Sequence, residues 1–192
     1  MVEAKDLQTV RSRLGVHFDK KGNIRNQCLR AVMCVSLTAA HEGHVTTIDV
    51  VADGNEFTVT DDGPGLSLDF LPGREPIAQE MMSLIGGCAE HKPHPQYADL
   101  LCQRSIAEVG AISGTSSLVT MINGVAWAQK YSFGVPSADF KKVKRESPGS
   151  RFRFDLDKRY AGSKPFDFDA LEKEIRSIGL KLEGTELNFS KS

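Results

Sequence analysis

The hydrophobic pattern changes period several times along the chain, and each change marks a new element. From Ile24 to about His41 the apolar residues Cys28, Ala31, Val32, Val35 and Ala39 recur at spacings of three and four. That is one face of a 3.6-residue period, so a long amphipathic helix is expected, ended by Gly43. Residues 4–14 have weaker helical character, and the following LGVHFDKKGN reads as a loop. Next, VTTIDVVADGNEFTVTDD contains two β-rich runs joined at Asp53-Gly54, which predicts an antiparallel hairpin with a type I′ turn. EPIAQEMMSLIGG reads as a helix with Pro76 near its start and Gly86-Gly87 past its end. A Pro-punctuated loop and a short helical pattern follow in CAEHKPHPQYADLLCQRSIAEVG.

A second hairpin is expected in SSLVTMINGVAWAQKYSFG, with Asn123-Gly124 at the turn. SADFKKVKRESPG reads as a polar loop. SRFRFDLD alternates strictly, placing Phe152, Phe154 and Leu156 on one face and charge on the other. Residues 167–178 carry Phe168, Leu171, Ile175 and Ile178 at helical spacing, and LKLEGTELNFS closes with more strand. The order helix, hairpin, helices, hairpin, strand, helix, strand lacks the repeated β-helix-β units of a doubly wound sheet. It predicts an α+β two-layer sandwich, with a mixed, mainly antiparallel sheet and helices on one face.

Composition changes this picture little. The 192 residues, 40% of them hydrophobic, suit one domain of ordinary size. With 24 basic against 25 acidic residues the net charge is -1, so the bulk electrostatics favour no polyanion and nucleic acid is not expected as a partner. No apolar run approaches the roughly 20 residues that span a bilayer, and MVEAKDLQTVRSR is too charged for a signal peptide. A cytoplasmic protein is expected. The four cysteines, Cys28, Cys34, Cys88 and Cys102, then read as reduced thiols, the first two as packing residues of the long helix.

The stretch FTVTDDGPGLS, residues 57–67, holds the candidate chemistry. A strand delivers Asp61 and Asp62 into a loop with Gly63 and Gly65. Without side chains at the two glycines, backbone can approach a planar ligand, while Asp61 accepts hydrogen bonds from an exocyclic amine. Such an arrangement suits adenine, although an acidic Gly-rich surface turn has the same sequence. Asp62 reads as a solvent-facing neighbour.

DLQTVRSRLGVHF, the long helix, GHVTTIDVVADGNEFTVTDDGPGLS, MMSLIGG, NGVAWAQKYSFGVP, SPGSRFRFDLD and FDFDALEKEIRSIGLKLEGTELNF occur in that order. Together, over residues 6–189, they resemble the ATPase region of the DNA gyrase B subunit and its relatives, the GHKL ATPases. The resemblance implies an α/β sandwich that holds ATP between its helices and loops. It places Asp61 on the aspartate that reads the adenine amino group, with Gly63 and Gly65 beside it. Ser150 falls on the hydroxyl residue that supports that aspartate. ATP or ADP is therefore the implied ligand.

The phosphate half of the resemblance is broken. Counting back from Gly43-His44 puts Ala31 at the general-base glutamate and Val35 at the magnesium-binding asparagine. Alanine cannot orient and deprotonate an attacking water, and valine cannot hold the metal that neutralises phosphate charge, so magnesium is not expected to matter. Pro64 replaces an arginine common in gyrase-like proteins. In the lid, CQRSIAEVGAISG keeps Gly110 but places Glu108 where glycines bind phosphate in the relatives. The transducer domain that supplies a further lysine is not expected in residues 1–192. The leading expectation is a stand-alone pseudo-ATPase that binds an adenine nucleotide. The alternatives are an interaction module with a vestigial pocket, which binds a protein partner or a second copy of itself, and a working ATPase related to type II topoisomerases.

Other constellations are weaker. Cys88, His91, His94 and Cys102 could ligate a metal, but their spacing matches no standard finger and an ordinary loop is the simpler expectation. His17 and His44 read as isolated packing or surface histidines, Trp127 as a core or cross-strand residue and KKVKRE at 141–146 as a solvated charge run. The serines of SGTSS have no identifiable base.

Overall fold

The computed structural model describes residues 4–70, 72–85, 104–144 and 147–191. The chain forms α1 (Ala4–Ser12), α2 (Leu14–His17), α3 (Ile24–His41), β1 (Thr47–Asp53), β2 (Glu56–Asp61) and α4 (Ile77–Ser83). After these come α5 (Ile106–Ala111), β3 (Ser113–Ile122), β4 (Val125–Ser132), β5 (Val135–Pro136), β6 (Lys141–Val143), β7 (Ser150–Leu156), α6 (Phe168–Ser177) and β8 (Glu186–Ser190).

The eight described strands form one sheet in the order β5-β4-β3-β7-β2-β1-β8, with β6 also pairing β4. Every described pair is antiparallel except β1 with β8. The fold is thus the α+β two-layer arrangement expected from the element order. Strict alternation decides which face is buried. Ile48, Val50, Phe57, Val59, Leu118, Phe152 and Phe154 point into the core, while Asp49, Lys130, Arg151 and Arg153 face solvent. Phe57 and Phe154 are cross-strand partners whose rings stack with centroids 5.3 Å apart.

Helix α3 lies against this apolar face and is buried nearly all round, including Leu29, Met33 and Leu37 as well as the expected Cys28, Ala31 and Val32. Its start is fixed by Asn23, whose side chain accepts from the Asn26 amide. Its end is followed by Gly43 at φ +81°. Helix α5 packs on α1, α3 and α4 and so ties the helical layer together. The residue retained at position 110 has a packing reason: a Cβ there would lie 3.3 Å from both the Gly134 backbone and the Met82 carbonyl.

Several local expectations change. LGVHFDKKGN is not all loop, because Leu14–His17 forms a helical turn. At the first hairpin Asp53 pairs Glu56, and only Gly54 of the two central residues has positive φ, so the turn is not type I′. At the second, Asn123 and Gly124 both have positive φ (51° and 75°), as type I′ requires. The polar segment after β5 contains β6, held by pairing with β4 rather than by any apolar pattern of its own. Cys34 is disulfide-bonded, which overturns the reading of every cysteine as a reduced thiol, whereas Cys28 is free and buried. Sequence spacing cannot show which sulfurs the fold brings together. No helix among the described residues is long and apolar enough to cross a membrane.

Phe152 is fully buried between β2 and β3. Phe152→Ala is expected to cost about 3–5 kcal/mol, from lost transfer energy and the cavity left behind. Urea unfolding measures this, and a loss under about 1 kcal/mol would contradict the core assigned here.

Candidate functional site

Asp61 ends β2, and its side chain points inward although it is a carboxylate, leaving it only 6% exposed. A buried charge needs hydrogen bonds. Asp61 Oδ2 accepts from Ser36 Oγ at 2.7 Å, and Oδ1 accepts from the backbone amides of Gly63 and Ser150, both at 3.1 Å. The carboxylate therefore joins α3, the loop after β2 and the first residue of β7. Ser150 in turn neighbours Thr120, its register partner on β3, whose Oγ1 accepts from the Leu66 amide at 2.6 Å.

These residues surround a cavity of about 190 Å³. Val35, Ser36 and Ala39 of α3 form one wall, Pro64, Gly65 and Leu66 another, with Asp61 and Ser150 at its base and Glu42 and His44 at its exposed rim. The four residues selected from the sequence are thus brought together: Asp61, Gly65 and Ser150 line the cavity, and Gly63 binds Asp61 through its amide.

The two loop glycines have another reason to be there. Gly65 has φ +81°, and a Cβ on it would collide with the carbonyl oxygen of Met121 on β3. At Gly63 the collision would be with the Val45 side chain, at 2.7 Å. The close approach these glycines permit is first of all to the protein itself.

Ala31 and Val35 also differ from each other in the structure. Ala31 is buried in the core, whereas Val35 is half-buried in the cavity wall. Neither carries a group that could activate water or bind a metal. Glu108 caps its own helix: its amide binds Ser105 Oγ, and its carboxylate accepts from the Ser105 amide at 2.6 Å. His17 Nδ1 lies 2.7 Å from the same carboxylate, so this histidine is not isolated. The S-x-x-E pattern at 105–108 was the available sequence signal for that cap. Ser36 was not among the residues expected at the site. Its trace in the sequence is a hydroxyl between Val35 and Leu37 on a largely apolar stretch of the helix.

Asp62 is not merely solvent-facing. Partial burial raises its pKa, but hydrogen bonds from the Thr46 hydroxyl and from the Thr46 and Thr47 amides outweigh that and hold it below the ordinary value of 3.8. It fastens the α3–β1 loop that carries the cavity rim. Lys142 Nζ stands 5.3 Å from the centre of the Trp127 ring, so part of the charge run rests on a β4 side chain. Cys88, His91, His94 and Cys102 lie outside the described residues, as do Arg145 and Glu146 of the charge run. A scan against protein-family models finds no match to this chain, and a search of curated proteins finds no similar sequence.

Ser36→Ala removes a hydrogen bond to a buried carboxylate and is expected to destabilise the fold by about 1.5–3 kcal/mol. An unchanged denaturation midpoint would contradict the bracing role. Because folding lowers the pKa of Asp62, its stabilisation is fully present above about pH 4 and is lost as pH falls through the lower folded value. Asp62→Asn is therefore expected to lower stability at pH 7 and to flatten its decline below pH 4. Urea midpoints at pH 7 and pH 3 in both proteins measure that difference.

Proposed function

We propose that this chain is a gyrase-B-like, GHKL-type module that binds an adenine compound and does not hydrolyse ATP. The observation that carries the reading is the buried Asp61 carboxylate in the wall of a cavity otherwise lined mainly by aliphatic and hydroxyl side chains. Such a wall offers an acceptor to an exocyclic amine and apolar surface to a flat ring. The volume of about 190 Å³ is below the roughly 300–1,000 Å³ of a site for a drug-sized ligand, so it suits a base better than a whole nucleoside triphosphate. Hydrolysis is set aside on chemical grounds: Ala31 and Val35 replace the two side chains on which the resemblance would have it depend.

A second reading has its own support. Asp61 is already braced by Ser36, Gly63 and Ser150, a purely structural role that requires no ligand. In that case the pocket is vestigial and the module acts through protein contacts.

Calorimetric titration of adenosine, ADP and ATP, with and without magnesium, separates the two. Binding of at least one of them is expected, indifferent to magnesium and lost in Asp61→Asn. Phosphate release from ATP is expected to stay at the no-protein blank. Magnesium-dependent turnover abolished by Asp61→Asn would overturn the proposal, and absence of binding by all three would favour the vestigial pocket.

A further inference from the structure

We propose that the outer face of the sheet carries an oxyanion site, formed by Lys130, Ser117 and Arg153, that takes a phosphate group presented as the free ion or as a phosphomonoester. The site lies on the opposite side of the sheet from the inward-pointing Asp61, so it goes beyond the adenine-binding reading and does not depend on it.

Register is the first ground. Ser117 of β3 pairs Lys130 of β4 on one side and Arg153 of β7 on the other. Directly paired residues share a face of the sheet, so two cations flank one hydroxyl in a row across three strands. The Cα atoms of the two cations are two strand spacings apart, about 10 Å, and their long side chains can converge on an anion held over Ser117. Strands β3 and β7 are interior to the sheet, each paired on both sides, which makes the row a rigid platform.

Space and donor chemistry are the second. Lys130 and Arg153 line a depression of about 360 Å³ together with Thr115, Ser117 and Ser137. The Ser137 amide donates to the Lys130 carbonyl at 2.8 Å, which seats that hydroxyl residue beside the lysine. A guanidinium meets phosphate oxygens as a planar fork and an ammonium meets them as a point charge, while hydroxyls add further donors. The combination suits a tetrahedral oxyanion.

The nearby carboxylates set where the anion sits. Glu56 accepts from Arg153 Nη2 at 2.6 Å, and Asp155 is the register partner of Thr115. An adjoining depression of about 390 Å³, which shares Ser117 and Arg153, has Asp53 and Glu56 in its wall. Glu56 stands on β2, three strands along from Lys130, so the anion belongs on the β4 side of Arg153. The Arg153 and Glu56 side chains are 60% and 53% exposed, and an ion pair so open to water is weak enough for Arg153 to turn its fork toward a phosphate.

The test is a titration of the whole chain with inorganic phosphate and with phenyl phosphate at constant ionic strength, followed by backbone amide shifts in nitrogen–proton NMR spectra. Saturable shifts centred on Ser117, Lys130 and Arg153 are expected, and whichever probe binds more tightly identifies the source as the free ion or the ester. Lys130→Gln and Arg153→Gln, both at exposed positions, are each expected to weaken binding about fivefold or more, because each removes a charge-assisted contact. Glu56→Gln is expected to tighten it by removing a competing carboxylate. Resonances remote from the site, unchanged in each variant, verify the fold. Shifts that fail to saturate, that chloride at the same ionic strength reproduces, or that persist at full strength in both Gln variants would overturn the site.

Discussion

The arrangement around the cavity depends on a carboxylate buried where the sheet meets the helical layer. Burying Asp61 without partners would be costly, and the chain offsets that cost with donors from three separate segments: Ser36 on α3, Gly63 in the loop and Ser150 on β7. Those three donors fix the position of the helix over the sheet at this end. They also leave a cavity rather than a packed seam, because Val35, Ala39 and Leu66 approach around the carboxylate without filling the space before it.

The neighbouring features serve the same geometry. Gly65 lets the loop lie against the β3 backbone, where Thr120 receives the Leu66 amide. Gly149, at φ +82°, does the same beside Asp61, since a Cβ there would collide with the Asp61 carbonyl. Asp62 fastens Thr46 and Thr47 and so holds the rim. A group that reads as a ligand-binding motif is, in its first physical duty, a joint between layers, and the ligand reading is added to that duty rather than replacing it.

On the proposed reading, the cavity recognises a ligand without catalysis. A buried acceptor, hydroxyls and aliphatic walls can select a flat, amine-bearing molecule. The inner face of α3 carries the Cys28 thiol, the Ala31 and Val35 methyl groups and the Ser36 hydroxyl. Glu108 supplies α5 with an anion of its own.

Much of this was legible in the residue pattern. Period and alternation located α3, the β1–β2 and β3–β4 hairpins, β7 and α6, since those signals depend on neighbours within a few residues. Asp61, Gly63 and Gly65 could be selected from a strand running into a Gly-rich acidic loop, and Ser150 only through the resemblance to gyrase-B-like sequences. What tertiary structure alone decided were contacts between distant segments. Ser36 meets Asp61 across 25 positions and His17 meets Glu108 across 91, and no local pattern encodes either pairing. Strand β6 exists because β4 offers it an edge, and Cys34 is disulfide-bonded although its local spacing gives no sign of it. Local sequence fixes backbone periodicity and which face is apolar. Which polar groups meet inside depends on how the layers close, and closure is a property of the whole chain.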